Sequence, residues 1–276
     1  MILHANCKIN LGLRVLRRRA DGFHDIETVM LPVRELFDEL TVVPTVTDAR
    51  LIQSGNVVKC PVEENICVRA LRLMQREYGI GDVRIELHKT IPTGAGLGGG
   101  SSDAASVLHA LNSEFELGLP RETLEKLGAQ LGSDVPFFLR NTPQLCTGRG
   151  EVMSPVNIGL AGMWLAILKP EVSVSTAEAY AGIIPCETGM PVAEAVKHDI
   201  YEWPELLAND FEKTVFEKHP AIGALKDLMY DEGAAYASMS GSGSAVFGIF
   251  ETMPEFNAEL DHAEFGEVFL HFEPIF

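Results

Sequence analysis

The feature that most constrains the fold is a glycine-rich stretch at residues 92–103, which reads Pro-Thr-Gly-Ala-Gly-Leu-Gly-Gly-Gly-Ser-Ser-Asp. Glycines adopt positive φ without strain and let a ligand approach the main chain with no Cβ in the way. The stretch lies between a strand-like segment and a helix-like segment. The N-terminus of such a helix has unpaired N–H groups and the positive end of the helix dipole, and both favour an anion. This order predicts a phosphate-binding loop; a flexible turn is the simpler alternative.

The residue pattern of this stretch distinguishes it from two other phosphate-binding motifs, the P-loop and the dinucleotide-binding fingerprint. A P-loop requires Lys and then Ser or Thr after its last glycine, whereas Gly100 is followed by Ser101 and Ser102. The dinucleotide fingerprint Gly-x-Gly-x-x-Gly does match at residues 94–99, but it belongs after a buried parallel strand. Residues 83–88 instead alternate apolar and polar side chains. This alternation predicts a half-exposed, antiparallel strand.

Composition limits the partners of the chain. Its 276 residues carry a formal net charge of -17, which argues against binding to nucleic acid or an anionic membrane. The five cysteines are odd in number and not closely spaced, which indicates reduced thiols. Neither a signal peptide nor an apolar run of membrane-spanning length is present in the sequence. We therefore expect a cytoplasmic protein that acts on a small molecule.

Two motifs near the N-terminus are candidates for a site. Residues 4–15 alternate cleanly, which predicts a strand with Lys8 and Asn10 on one face. A solvated side chain is the usual interpretation of a strand lysine. Phe23 and His24 follow an Asp-Gly turn and could stack on and hydrogen-bond a planar ligand, although simple packing is the alternative.

Two motifs in the later part of the chain are also candidates. Asp134 follows a predicted helix that ends at Gly132, where an aspartate is often only a cap. Residues 240–244 read Ser-Gly-Ser-Gly-Ser, which on its own predicts a hairpin turn.

Apolar spacing predicts the remaining elements. Helices are expected at residues 63–78, 104–111, 121–131, 175–180, 192–201 and 209–229. Further strands are expected at residues 40–43, 163–168, 234–239 and 245–250, and a polar loop at residues 53–56.

Taken in order, the motifs resemble the GHMP small-molecule kinases. They are Lys-Ile-Asn-Leu at 8–11, Asp-Gly-Phe-His at 21–24, the glycine stretch, Gly-Ser-Asp-Val-Pro at 132–136 and Ser-Gly-Ser-Gly at 240–243. The two N-terminal motifs make the chain most similar to members whose acceptor is methylerythritol linked to cytidine diphosphate, in the non-mevalonate (MEP) route to isoprenoid precursors. The family usually has Tyr where Phe23 stands, so stacking is retained here and a hydroxyl contact is lost.

The resemblance also implies a fold and a domain organisation. The fold is a two-lobe α/β (α+β) structure. Its N-terminal lobe, residues 1–152, would bind ATP and carry a ribosomal-S5-domain-2-like, left-handed βαβ unit on a mixed or antiparallel sheet. Its C-terminal lobe, residues 153–276, would be ferredoxin-like.

The reaction implied by the resemblance is ATP-dependent phosphorylation of a hydroxyl. Asp134 would accept the hydroxyl proton, and Lys8 would stabilise the charge that develops toward the γ-phosphate. Ser101 or Ser102 would touch Mg²⁺, with no choice between them. The triphosphate would be held by Pro92, Gly94, Gly96, Leu97, Gly98, Gly99, Gly100, Ser101 and Ser102.

The resemblance further implies where the two bases bind. Two aromatic rings would sandwich the cytosine, a histidine would bond its edge, and an asparagine would lie near the diphosphate or polyol. The acceptor residues are then Asn10, Phe23, His24, Asp134, Thr176 and Tyr180. The adenine residues are Val57, Val58, Asn65 and Lys89.

Other functions remain open from the sequence. Another GHMP kinase, acting on homoserine or a mevalonate-type acid, would need a carboxylate-binding arginine in place of the aromatic sandwich. A nucleotide-binding regulator without catalysis is a third hypothesis, against which the presence of Lys8 and Asp134 argues. Either a monomer or a homodimer is compatible with the sequence.

Overall fold

A computed structural model describes residues 2–46, 50–256 and 265–276. Its strands are β1 (Ile2–Arg18), β2 (His24–Pro44), β3 (Arg50–Gly55), β4 (Val83–Lys89), β5 (Gln144–Thr147), β6 (Val152–Pro155), β7 (Trp164–Pro170), β8 (Tyr236–Met239), β9 (Val246–Phe250) and β10 (Val268–Pro274). Its α-helices are α1 (Ile66–Tyr78), α2 (Gly99–Glu114), α3 (Arg121–Leu131), α4 (Val135–Arg140), α5 (Thr176–Tyr180), α6 (Val192–Ala195), α7 (Trp203–Leu206), α8 (Phe211–Lys218) and α9 (Pro220–Asp231).

The chain forms two compact units. Unit 1 contains Met1–Lys8, Pro32–Thr93 and Gly98–Thr142, and unit 2 contains Ile9–Leu31, Gly94–Leu97 and Pro143–Phe276. The long strands β1 and β2 contribute residues to both. Each unit is made of several segments of the chain. The predicted division into two lobes at residue 152 is of a different kind and stays a prediction.

Unit 1 is built on a βαβ unit. Strands β3 and β4 are parallel neighbours and α1 connects them, while β4 also pairs antiparallel with residues 39–44 of β2. Side chains of β4 alternate between buried and exposed, as predicted from their pattern. The predicted polar loop at 53–56 is wrong, because residues 50–55 form an edge strand. Its polar side chains can lie at the solvent side of a sheet edge.

Helices α1 to α4 complete unit 1. Asn65 caps α1 by accepting the Cys67 N–H at 2.9 Å, and Gly79 ends it with φ 64°. Helix α2 packs against α1, α3 and α4. Its face toward them carries small and branched apolar side chains that are fully buried, which fixes the helix that follows the glycine stretch.

Unit 2 contains an antiparallel sheet in the order β10-β7-β9-β8. Helices α8 and α9 cover it with a buried core of which Phe211, Leu225 and Met229 are members. The single helix predicted for 209–229 is wrong. The helix is interrupted at His219, because Pro220 has no N–H with which to continue α8. Pro220 instead begins α9.

The five cysteines are free thiols, in agreement with the prediction. Burial raises the pKa of the Cys67 thiol well above its usual range. Among the described residues, every helix is too short or too polar to cross a membrane.

Candidate active site

The glycine stretch is a loop that leads into α2, as predicted. Gly94, Gly96 and Gly98 have φ of 62°, 75° and 73°, a region that residues with a Cβ enter only with strain. Gly98 is the N-cap of α2, and the Ser102 N–H is the donor that closes the first helical turn, onto the Gly98 carbonyl at 3.0 Å. Helix geometry leaves the preceding N–H groups, from Gly98 to Ser101, for a ligand or solvent. This is the geometry of an anion-binding helix start.

Close packing at the start of α2 also requires glycine. A Cβ added at Gly98 would lie 2.9 Å from a Phe138 ring carbon and 3.2 Å from Lys8 Cε. At Gly99 it would lie 2.9 Å from Ile91 Cγ2. The Lys8 side chain therefore passes directly beside the N-terminus of α2.

Lys8 and Asp134 form an ion pair in unit 1. Lys8 is buried within β1, and its Nζ lies 3.8 Å from Asp134 Oδ2. Asp134 occupies the N-cap position of α4, yet within the described chain its carboxylate makes no capping hydrogen bond. The Asp134 side chain keeps 30% of its surface exposed. A buried ammonium, an accessible carboxylate and the start of α2 thus come together, which is the set of groups a phosphoryl transfer to a hydroxyl requires.

A second, fully buried charge cluster lies in unit 1, between the end of β4 and α2. Lys89 Nζ contacts Asp38 Oδ2 and donates to Asp103 Oδ2 at 2.7 Å. Burial alone would lower the pKa of Lys89, but the two carboxylates outweigh it and raise that pKa. Burial raises the pKa of Asp103 to about 7; Lys89 opposes this rise, and the Asp38 charge adds to it.

The residues predicted to contact adenine are distributed around the end of β4. Asn56 donates its backbone N–H to the Lys89 carbonyl at 2.8 Å and its side-chain Nδ2 to the Thr90 carbonyl at 2.9 Å, which places the adjoining Val57 there. Val57 is exposed and Val58 half-buried. The Asn65 side chain caps α1, and the Lys89 ammonium is occupied by carboxylates, so their roles toward a base stay predictions.

Apart from Asp134, which is in unit 1, the residues predicted to hold the acceptor lie in unit 2. The Phe23 ring is 53% exposed, and the Arg149 guanidinium lies 5.0 Å from its centroid. The His24 ring stacks on Tyr180 with centroids 4.8 Å apart and an interplanar angle of 18°. A base can therefore stack on that face of Tyr180 only after the His24 ring moves.

The other two predicted acceptor residues have protein partners. Asn10 is buried and donates to Thr28 Oγ1 at 3.0 Å. Thr176 Oγ1 lies 3.4 Å from Ser242 Oγ in the Ser-Gly-Ser-Gly turn. Both contacts fix the side chains in place, and their roles toward a substrate stay predictions.

The turn at residues 240–244 connects β8 and β9, as expected of a hairpin, and it also holds the glycine loop. Ser240 Oγ donates to the Gly96 carbonyl at 3.0 Å, and the Ala245 N–H donates to the Ala95 carbonyl at 3.0 Å. The buried Asn209 side chain donates to the carbonyls of Met239 and Gly241 at 2.7 and 2.8 Å.

Sequence reasoning missed Asp38, Arg149 and Asn209 as parts of this arrangement. Asp38 alternates in phase with the buried Leu36 and Leu40, but an aspartate is not expected at a fully buried position. Arg149 lies between two glycines in a short turn, and nothing in the local sequence indicates its contact with an aromatic ring. Asn209 begins a helical pattern in the sequence, and an Asx residue at a helix start is a recognisable signal, but its carbonyl partners are distant in sequence.

The site and fold define a class of kinase, and comparison with known proteins agrees. The family model "GHMP kinases N terminal domain" matches residues 65–142, and "GHMP kinases C terminal" matches residues 192–267. The chain belongs to the GHMP kinases and has their two-domain α/β fold. It is therefore an ATP-dependent small-molecule kinase by family.

Relatives within this family share one name. The chain is 45% identical over 262 residues to 4-diphosphocytidyl-2-C-methyl-D-erythritol kinase of Bacteroides thetaiotaomicron, covering 92% of this chain and 95% of the relative. It is 44% identical over 256 residues to the Cytophaga hutchinsonii enzyme of the same name, with coverage of 92% and 94%.

Solved structures give the same result for the fold. A crystal structure of 4-(cytidine 5'-diphospho)-2C-methyl-D-erythritol kinase aligns with TM-score 0.76 and 32% identity over 99% of this chain and 98% of that one. Homoserine kinase from Cytophaga hutchinsonii aligns with TM-score 0.69 over 98% and 95%. At 18% identity it shows only a common fold.

Proposed function

We propose that the protein transfers the γ-phosphoryl group of ATP to a hydroxyl of 4-diphosphocytidyl-2-C-methyl-D-erythritol, in the MEP pathway of isoprenoid precursor synthesis. The observation that carries this proposal is the Lys8–Asp134 pair, 3.8 Å apart beside the N-terminus of α2. Relatives named for this activity are 42–45% identical over most of the chain, which supports the same acceptor here.

Asp134 and Lys8 have complementary roles in the proposed mechanism. Asp134 accepts the proton of the attacking hydroxyl, since its carboxylate is accessible and is not used to cap α4. Lys8 stabilises the negative charge that develops between the hydroxyl oxygen and the γ-phosphate. Its burial strengthens this effect, because water does not screen the ammonium. General-base help of this kind contributes roughly 10²- to 10⁴-fold.

The main chain of the glycine loop and α2 start holds the phosphates. Mg²⁺ would neutralise charge on the triphosphate when bound. Among the described residues, no group of three or more His, Cys, Asp or Glu side chains is arranged to hold a metal ion. This fits a magnesium ion held largely by phosphate and water. Ser101 is half-buried and Ser102 is buried, so Ser101 is the better placed hydroxyl to reach it.

The exposed rings of unit 2 are proposed to select the acceptor. Phe23 presents one face to solvent while Arg149 supports the ring through a cation–π contact. The Asp21 carboxylate accepts the Phe23 N–H at 3.1 Å and orders the turn that carries the ring. Phe23 and Tyr180 then stack on the cytosine, and His24, once displaced from Tyr180, bonds its edge.

Alanine at both Phe23 and Tyr180 is expected to raise KM for the cytidine-linked acceptor by roughly 30-fold or more, because base stacking contributes about 1–3 kcal/mol per contact and two contacts are lost. KM for ATP should change by about twofold or less. Steady-state kinetics with each substrate varied separately provide the measurement.

Tyr201→Ala serves as the control, since Tyr201 is 61% exposed and outside the proposed site. The single variant Phe23→Ala separates stacking from packing, because Tyr180 also contacts Phe211 edge-on. Equal increases in both KM values would argue against base recognition by these rings.

The remaining features of the proposal concern cell compartment and partners. Free cysteines and the net charge of -17 support a cytoplasmic enzyme whose ligands are nucleotides and a small acceptor rather than nucleic acid.

A further inference from the structure

The buried cluster Asp38–Lys89–Asp103 lies apart from the reacting groups and touches the glycine loop at both ends. Lys89 is the last residue of β4, before the loop, and Asp103 is the fifth residue of α2, after it. Asp38 comes from β2. The three side chains have 2% of their surface exposed or less.

Asp38 connects the cluster to the entry of the loop. Its Oδ1 accepts the backbone N–H groups of Thr90 and Ile91 at 2.6 and 2.8 Å, the two residues that precede Pro92. Its Oδ2 contacts the Lys89 ammonium. One carboxylate thus fixes both the backbone and the side chain at the entry.

Asp103 connects the cluster to the exit of the loop. Its Oδ2 accepts from Lys89 Nζ at 2.7 Å, which ties the second turn of α2 to the end of β4. Ile91 reinforces this connection, because its side chain packs so closely on Gly99 that a Cβ there would lie 2.9 Å away. The entry of the loop and the start of α2 are therefore linked by direct contacts.

The charge balance indicates that the cluster has a positioning role. Two carboxylates share one buried ammonium, and Asp103 Oδ1 has no hydrogen-bond partner among the described residues. Burying such a group costs stability, and a negative charge near a phosphate site weakens anion binding. What the cluster provides in return is fixed geometry at both ends of the loop.

We propose that Asp38, Lys89 and Asp103 form a two-ended clamp that preorganises the glycine loop and the N-terminus of α2 for the triphosphate of ATP. These are positioning residues, which act through the backbone N–H groups they hold in place. The proposal rests on the kinase function above for the identity of the nucleotide, but not on the identity of the acceptor.

The test compares Asp103→Leu with Asp103→Asn. Leucine has a similar size but removes the link to Lys89, and it leaves Asp38 and Lys89 as a balanced pair. Asparagine keeps an oxygen that accepts from Lys89. Calorimetric titration of the full chain with MgADP, without acceptor, should show roughly 10-fold weaker binding for Asp103→Leu and a change within about twofold for Asp103→Asn.

Hydrogen exchange supplies a second, local readout. The hydrogen-bonded amides at the two ends of the loop, those of Thr90, Ile91 and Ser102, should exchange faster in Asp103→Leu, while those of α8 and α9 stay as in the wild type. If Asp103→Leu does not fold, the same two measurements, MgADP affinity and amide exchange, are made on Asp38→Asn. This substitution places an amide beside the Lys89 ammonium. Wild-type MgADP affinity and unchanged loop exchange in the folded variant would overturn the clamp.

These outcomes are distinct from a failure of the proposed acceptor. An enzyme that binds MgADP but phosphorylates a different hydroxyl compound contradicts the proposed function and leaves the clamp standing. Unchanged nucleotide affinity in Asp103→Leu contradicts the clamp whichever acceptor is used.

Discussion

Asp134→Asn is expected to lower kcat by roughly 10²- to 10⁴-fold, the range of a lost general base. The substitution preserves the shape of the side chain but removes its ability to take a proton from the acceptor hydroxyl. Affinity for MgADP should stay within about twofold, because the nucleotide is held by the glycine loop and not by Asp134. Single-turnover kinetics with saturating ATP and acceptor measure the chemical step directly.

A control for Asp134→Asn is Asp227→Asn, an exposed aspartate on α9 that should leave kcat unchanged. Thermal unfolding of both variants tests for a folding defect. Because Asp134 pairs with the buried Lys8 ammonium, we expect its replacement to lower the stability, and kcat is compared at a temperature at which both variants are folded. Undiminished turnover in Asp134→Asn would remove the role assigned to this residue.

Gly96→Ala is expected to abolish measurable nucleotide binding and to destabilise the protein. The added Cβ would lie 1.9 Å from the Ser240 carbonyl oxygen, a backbone atom that cannot swing aside like a side chain. The φ of 75° adds about 1–2 kcal/mol of strain for a residue with a Cβ. Denaturant unfolding and MgADP titration measure the two effects.

Gly118→Ala separates the contact with Ser240 from backbone strain. Gly118 has φ 62°, and nothing lies within 4 Å of its added Cβ, so the variant carries the strain alone. We expect it to bind MgADP normally and to lose only about 1–2 kcal/mol of stability. If Gly96→Ala were no more affected than Gly118→Ala, the packing of the loop on the 240–244 turn would have no functional role.

Local chemistry explains which parts of the fold could be predicted from sequence. The loop and helix at residues 92–111 carry strong signals, since glycines mark positive φ and small apolar residues mark the buried face of α2. The Ser175 cap is equally local; its side chain accepts the Glu178 N–H at 3.1 Å. In each case the partners lie within a few residues of one another.

Tertiary context explains what could not be predicted. The alternation in residues 4–15 does not reveal that Lys8 is buried beside Asp134, because their contact depends on how β1 and α4 meet. Asp38 is in phase with the buried Leu36 and Leu40, but its contact with Lys89, 51 residues away, cannot be deduced from the local sequence. The polar sequence of residues 53–56 predicts a loop, whereas pairing with β4 makes residues 50–55 a strand.

Roles in the site required more than local pattern. Resemblance to the GHMP kinases was needed to associate Lys8 with Asp134 and Phe23 with Tyr180. The structure brings Lys8 and Asp134 to 3.8 Å and stacks the His24 ring on Tyr180, and the sandwich of a base between Phe23 and Tyr180 stays a prediction. The partner of Phe23 is Arg149, whose cation–π contact no spacing rule indicates.

The most direct test of the central claim is the rate of ADP release with three acceptors: the cytidine-linked methylerythritol, homoserine and mevalonate. We expect turnover that depends on the cytidine-linked compound, with one phosphorylated acceptor formed per ADP released, and no turnover above background with the other two. Turnover with homoserine or mevalonate alone would contradict the proposed function.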